Sequence, residues 1–339
     1  MKRIETLFLL GLIVLMSFRY GSKLIWKTPA SWPEPTYNFS KNELDSNVVQ
    51  LGRILFYDPI LSADSTISCA SCHSPYNAFT HSDHALSHGI KDRIGKRNSP
   101  VIFNLAWNKT FMWDGAINHL DVQALAPIEN HQEMDETLVN VLKKLSRNKR
   151  YQHFFQQAYG TNKITSERLL RSIAQFMLTL VSSNSKYDKV MRNESGVQFT
   201  TNEQKGYELF KQQCASCHTE PLFTNNTFQN NGLAPDSLLY DTGRMGITGK
   251  ESDKFKFKVP TLRNIERSAP YMHDGRYKSL QMVLFHYSSD IHDSPTLAGA
   301  LKGGIALSEE DKKNLIAFLK TLTDNEFLNN KAYQYPRIQ

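Results

Sequence analysis

The sequence predicts a mainly α-helical chain built as two related halves, with long loops and few short strands. Three observations predict it. All four cysteines fall in two Cys-x-x-Cys-His runs, Cys69-Ala70-Ser71-Cys72-His73 and Cys214-Ala215-Ser216-Cys217-His218, 145 positions apart. A loop signature repeats without gaps at an offset of 160 positions. In it Pro100, Asn104, Phe111, Met112, Asp114 and Gly115 return as Pro260, Asn264, Tyr271, Met272, Asp274 and Gly275, and Leu120 returns as Leu280. Apolar residues at helical spacing, opened by capping residues, fill most of the remainder.

Taken in chain order, the elements follow from local chemistry. Met1-Lys2-Arg3 precedes an apolar stretch from Leu7 to Phe18, the pattern of a secretory signal and short for a membrane span. No clear cleavage site follows and Arg19-Tyr20 interrupts the run, so residues 1–26 are read as a signal peptide or an uncleaved N-terminal anchor. The polar, proline-rich stretch from Lys27 to Thr36 reads as a linker. Val48, Val49, Leu51, Leu55 and Phe56 predict a helix just before the first Cys-x-x-Cys-His run. Leu169, Leu170, Ile173, Phe176, Met177 and Leu180 trace one face of another. Thr200 with Glu203 forms a capping box ahead of the second run, and Ser308 with Asp311 opens a last helix. The polar segment Asn193 to Gln198 marks the boundary between a domain of residues 27–195 and one of residues 196–339.

Cys-x-x-Cys-His is the attachment signature of c-type haem, the two thiols bonding the haem and the histidine ligating its iron. A thioredoxin-like pair would not require the histidine and needs a βαβ context that the sequence lacks. A zinc site would not spread its cysteine pairs over 145 positions. Each half is therefore expected to be a cytochrome c-like haem domain, arisen by internal duplication. Such haems are attached outside the cytoplasm, which agrees with export and predicts a periplasmic protein. The formal charge of +7 omits the haem propionates, worth about four negative charges if all ionise. The basic residues are dispersed, so no nucleic-acid partner is expected.

Function should lie where the copies diverge. Tyr287 in the second half pairs with Pro127 in the first. Tyrosine can ligate iron and proline cannot, so the first haem is expected open and the second closed. Met272, Met282 and His286 are rivals to Tyr287 for the closed position. Beside Pro127 lies Glu133, a carboxylate suited to move a proton on an open haem, although a solvated loop position would also suit it. Trp113 stands where the second half has His273. It could carry electrons between haems or simply pack.

These residues resemble the bacterial dihaem cytochrome c peroxidase and MauG family from about Leu51 to Leu322. The likeness includes the segment Leu51 to Asp58, Arg97 to Pro100, Phe111 to Gly115, Glu133-Met134, Asp241 to Arg244 and Pro270 to Gly275. The resemblance implies two covalent haems, held by Cys69, Cys72 and His73 and by Cys214, Cys217 and His218. It implies that the first is peroxidatic, with Glu133 as distal acid–base, Gln123 in the distal pocket and Trp113 between the haems. Asn98, with the backbone carbonyls of Ser268 and Pro270, matches the family's calcium site, an oxygen set suited to a hard cation. Tyr287 as ligand of the second haem is the MauG-like pattern, where many peroxidases of the family have methionine. His88 matches the histidine that blocks the resting peroxidatic haem; an exposed loop histidine is the other reading.

The expected activity is reduction of hydrogen peroxide to water with electrons from a small c-type cytochrome or cupredoxin. A second expectation is a MauG-like oxidase that uses peroxide to oxidise a protein or organic substrate. A third is a dihaem electron carrier without peroxide chemistry, which would need the first haem to stay six-coordinate. A homodimer is compatible with the sequence.

Overall fold

The computed structural model describes residues 23–336. The expected signal or anchor, residues 1–26, falls outside the described residues except for its last four positions. No helix among the described residues is long and apolar enough to cross a membrane.

Each half is organised around one helix crossing. In the first, Ser46–Tyr57 is capped by Asp45, whose carboxylate accepts from the amides of Asn47 and Val48, and it crosses Ser166–Thr179. In the second, Thr201–Gln213 is opened by the Thr200–Glu203 capping box and crosses Glu309–Lys320, opened by the Ser308–Asp311 box. A glycine sits at each crossing. A Cβ on Gly52 would lie 1.8 Å from the Ser172 carbonyl oxygen, and one on Gly206 would lie 1.9 Å from that of Asn314. Glycine inside a helix costs roughly 1 kcal/mol against alanine, which the close approach of the two backbones offsets. Phe56 and Phe176 pack in the first core, Phe210 and Phe318 in the second.

Between the crossing helices of the first half run the haem-motif turn Cys69–Cys72, the short helices Leu120–Gln123 and Leu125–Glu129, and the pair Leu138–Arg147 and Lys149–Tyr159. Lys186–Met191 leads into the second half, which adds Met245–Thr248 and Leu280–Ser289. Among the described residues the one sheet pairs Phe228–Gln229 antiparallel with Phe257–Lys258. The chain is mainly helical with two cytochrome c-like domains, as the sequence predicts.

The repeat is also a repeat of backbone conformation. Asn104 and Asn264 take φ of 56° and 57°, Met112 and Met272 take 69° and 75°, and Gly115 and Gly275 take 72° and 69°. The bridges Phe111–Ile117 and Tyr271–Tyr277 coincide at the same offset. The copies part at Pro127. Leu280–Ser289 is continuous, whereas its counterpart breaks at Ala124. Pro127 has no N–H for the Gln123 carbonyl and its ring crowds that oxygen, so the first helix stops at Gln123.

The proline-rich stretch read as a linker is docked. Trp26 stacks on Phe39 at 4.4 Å, Trp32 meets Trp107 at 4.8 Å, and the Trp107 indole donates to the Pro33 carbonyl. Its aromatic residues outweigh its polar composition. At the other end the chain returns to the first half, where Phe327 packs on Phe79 and Phe103.

Candidate functional site

Both Cys-x-x-Cys-His runs open onto one continuous cavity of about 720 Å³, lined by Cys72 and His73 and by Cys214, Cys217 and His218. The cysteines form no disulfide. Burial pushes the thiols of Cys69 and Cys214 up to about 12. The His73 ring meets the Phe79 carbonyl through Nδ1 at 2.8 Å; His218 Nδ1 lies 3.1 Å from the carbonyls of both Phe223 and Pro260. A ring that donates from Nδ1 keeps Nε2 for a metal. Burial pulls His73 down to about 4 and His218 below its ordinary value, so both are neutral at pH 7, the form that ligates iron. The thiols, the neutral imidazoles and the shared cavity fit two covalent haems.

On the first side Gln123, Pro127, Asn130 and Glu133 line the cavity. Asn130 donates to Glu133 Oε1 at 2.7 Å, and Gln123 Nε2 reaches Met112 Sδ at 3.7 Å. Burial raises the Glu133 carboxyl above its ordinary value, and the Asn130 bond opposes this. Glu133 is close enough to raise the thiols of Cys69 and Cys72, so the carboxyl lies beside the first attachment motif.

On the second side Tyr287 lines the cavity near Cys214 and Cys217. Burial pushes its phenol up to about 12; a metal cation at the oxygen would reverse that shift. His286, fully buried, directs Nε2 to the Asn231 carbonyl at 3.0 Å and Nδ1 towards the Tyr277 hydroxyl at 3.4 Å. Met282 is exposed, and Met272 borders the cavity with its Sδ accepting from Asn231.

The halves meet across a pseudo-two-fold contact. The Asn98 backbone amide donates to the His273 carbonyl at 2.7 Å. Their counterparts repeat the bond, the Lys258 backbone amide donating to the Trp113 carbonyl, also at 2.7 Å. The Trp113 indole in turn donates to the Asn98 carbonyl at 2.8 Å. Trp113 thus bonds to both halves and lines the cavity. Arg97 locks the contact, bridging Asp114 at 2.6 Å and Asp241 at 2.6 and 2.8 Å. Asn98, Ser268 and Pro270 border the same cavity.

His88 belongs to a row of three histidines beside the first attachment motif. Its ring centroid lies 4.0 Å from that of His84, and His84 lies 4.4 Å from His81, the ring planes tilted by 31° and 36°. Its carbonyl accepts from Cys72 Sγ at 3.7 Å, while its imidazole is not part of the cavity wall.

Residues 46–196 match the family described as di-haem cytochrome c peroxidase, and residues 203–323 match cytochrome c. The methylamine utilization protein MauG of Methylorubrum extorquens is 33% identical over 310 residues, covering 88% of this chain and 84% of that protein. The chain belongs to the dihaem cytochrome c peroxidase and MauG family. The cytochrome c551 peroxidase of Nitrosomonas europaea is 34% identical over 288 residues, covering 83% of this chain and 81% of its own. Among solved structures, a MauG-like protein associated with microbial copper homeostasis superposes with a TM-score of 0.82 at 30% identity, covering 92% of this chain and 99% of that one. Membership of a dihaem family implies two haem c groups and peroxidase-type oxidoreductase chemistry, with peroxide as substrate.

Sequence reasoning singled out neither the Arg97–Asp114–Asp241 bridge nor Lys258. Arg97 and Asp241 lie in motifs that carry the resemblance, yet 144 positions separate them, and nothing local announces the pair. Comparing the copies residue by residue would expose Lys258, because its counterpart is the uncharged Asn98.

Proposed function

We propose that the protein is a periplasmic dihaem peroxidase that reduces hydrogen peroxide to water with electrons from a small c-type cytochrome or cupredoxin. The observation that carries this reading is the asymmetry of one cavity, with Glu133 and Pro127 on the side of the first motif and Tyr287 on the side of Cys214 and Cys217. When bound, the first haem supplies the iron that takes peroxide and the second supplies electron storage. Glu133 would take a proton from peroxide and return one to the departing oxygen, so that water rather than hydroxide would leave. Each peroxide takes up two electrons and two protons and yields two waters. Asn130 orients the carboxyl through its bond to Oε1, and Gln123 borders the same space. Trp113, bonded to both halves, lies on the electron route. Asn98 with the carbonyls of Ser268 and Pro270 would hold a calcium ion, which would tie the halves together.

The test is peroxide-dependent oxidation of a reduced small c-type cytochrome, followed alongside the electron paramagnetic resonance (EPR) spectrum. A high-spin ferric signal that peroxide removes, with two donor electrons consumed per peroxide, is the expected result. Two low-spin signals indifferent to peroxide would overturn it in favour of an electron carrier.

Tyr287 favours a second reading, in which peroxide oxidises a protein or organic substrate as a MauG-like oxidase does. An anionic oxygen ligand stabilises ferric iron and lowers the potential of the second haem, which suits storing oxidising equivalents better than receiving electrons. Rapid peroxide consumption without donor oxidation would favour this reading.

A further inference from the structure

We propose that Lys258 is a haem-binding residue, its ammonium forming the ion pair for a propionate of a haem seated where the two halves meet. Three observations carry this. First, Lys258 lines the cavity on a backbone fixed twice, by strand pairing with Phe228 and by its amide bond to the Trp113 carbonyl. Its ammonium is therefore presented from a rigid element at the junction of the halves.

Second, the ammonium lacks a counter-charge from the protein. Its Nζ donates to the Thr110 carbonyl at 3.0 Å, and no carboxylate among the described residues pairs with it. An ammonium has three donors, and one neutral carbonyl does not compensate the removal of a full charge from water. Burial accordingly pulls Lys258 down to about 8. The hydroxyl of the same Thr110 is also buried without a protein partner.

Third, the other cations bordering the cavity are committed or wet. Arg97 is consumed by Asp114 and Asp241, and Lys96 is exposed. Haem c brings carboxylates into this space, and Lys258, half-buried and without a carboxylate partner among the described residues, is the cation left to meet one. Its counterpart in the repeat, Asn98, is neutral, so the pairing belongs to one haem rather than to both. A positive charge beside a haem disfavours the extra positive charge of ferric iron. Lys258 thus raises the midpoint potential of the haem it holds, besides anchoring it.

The proposal rests on the two haems implied by the family, and a pyridine haemochrome assay checks that premise separately. Spectroelectrochemical titration of the haem-loaded protein then compares Lys258→Met with Lys258→Arg. The expected result is two haems in each variant, a lowered midpoint for one haem in Lys258→Met, and recovery towards the wild-type value in Lys258→Arg. Midpoints in Lys258→Met that match wild type at both haems would overturn the proposal. Should Lys258→Met fail to assemble, Lys258→Gln gives the same charge-removing comparison. The wild-type protein supplies a second readout. A propionate pair keeps Lys258 charged, so the midpoint stays level as pH rises through about 8; a fall centred there would show an unpaired lysine and overturn the assignment.

Discussion

His286 and Tyr287 are neighbours on one helix with ring centroids 5.0 Å apart, and they face opposite tasks. Both nitrogens of the buried His286 are directed to protein oxygens, those of Asn231 and Tyr277, while Tyr287 lines the cavity near the second pair of cysteines. A register shift of one residue would exchange them. The hydrogen bonds of His286 hold the helix against that shift and leave the phenol of Tyr287 on the cavity wall.

Tyr287→Phe should therefore open the second haem, converting its low-spin EPR signal to a high-spin one while peroxide still binds at the first. Tyr287→Met should restore six-coordination at a higher midpoint potential, the direction expected when a neutral thioether replaces an anionic oxygen. A low-spin signal unchanged in the Phe variant would show that another residue holds the position.

The two attachment motifs are independent, since each half has its own helix crossing and core. Replacing Cys69 and Cys72 together by alanine should remove one haem and leave the other attached. The pyridine haemochrome assay reads this directly, and a variant that lost both haems would contradict independent assembly.

Gly52→Ala and Gly206→Ala should each destabilise the protein, against the usual gain of a helical glycine-to-alanine change. The new Cβ would meet backbone carbonyls at 1.8 and 1.9 Å, which cannot swing aside as a side chain can. Overpacking of this kind costs about 1–3 kcal/mol or more. Gly299→Ala, with nothing within 4 Å of its Cβ, serves as the neutral control. Thermal unfolding of the haem-loaded variants gives the order, and equal midpoints for all three would contradict the packing argument.

These glycines show where the sequence was legible and where it was not. The capping boxes at Thr200 and Ser308 are local chemistry, and both appear where their spacing predicts. The repeated loop was legible because Asn104, Met112 and Gly115 recur as residue types, and their left-handed backbone recurs with them. The role of Gly52 depends on Ser172, a contact that no local pattern encodes. The docking of the segment around Trp26 and Trp32 was hidden for a similar reason, because Trp107 completes the cluster from far along the chain. His88 was placed by resemblance, and its ring contact with His84 depends on the fold of this particular loop.

Calcium removal should weaken communication between the haems more than it lowers haem content. Asn98 comes from the first half, Ser268 and Pro270 from the second, and Asn98 also accepts the Trp113 indole bond through its carbonyl. Loss of a cation there would loosen the contact that holds Trp113. Interhaem electron transfer measured before and after exhaustive chelation checks this, and unchanged rates would remove the metal from the scheme.

Glu133→Gln should keep both haems and their spectra yet slow peroxide turnover by about 10²-fold or more, the scale of a lost general acid–base. The glutamine retains the shape of the side chain and can still meet Asn130, so the change isolates the proton. The pH dependence gives the stricter check. Burial raises the Glu133 carboxyl above its ordinary value, and the carboxylate is the form that takes the peroxide proton. As pH falls through that raised value the base is lost, so kcat/KM should decline on the acid side at a pH above the ordinary glutamate range. The Asn130 bond to Oε1 favours the ionised form, so Asn130→Ala should move the acid limb to still higher pH without removing it. In Glu133→Gln the limb should vanish along with most of the rate. An acid limb that persists unchanged in that variant would assign the titration to another group and exclude Glu133 from proton transfer.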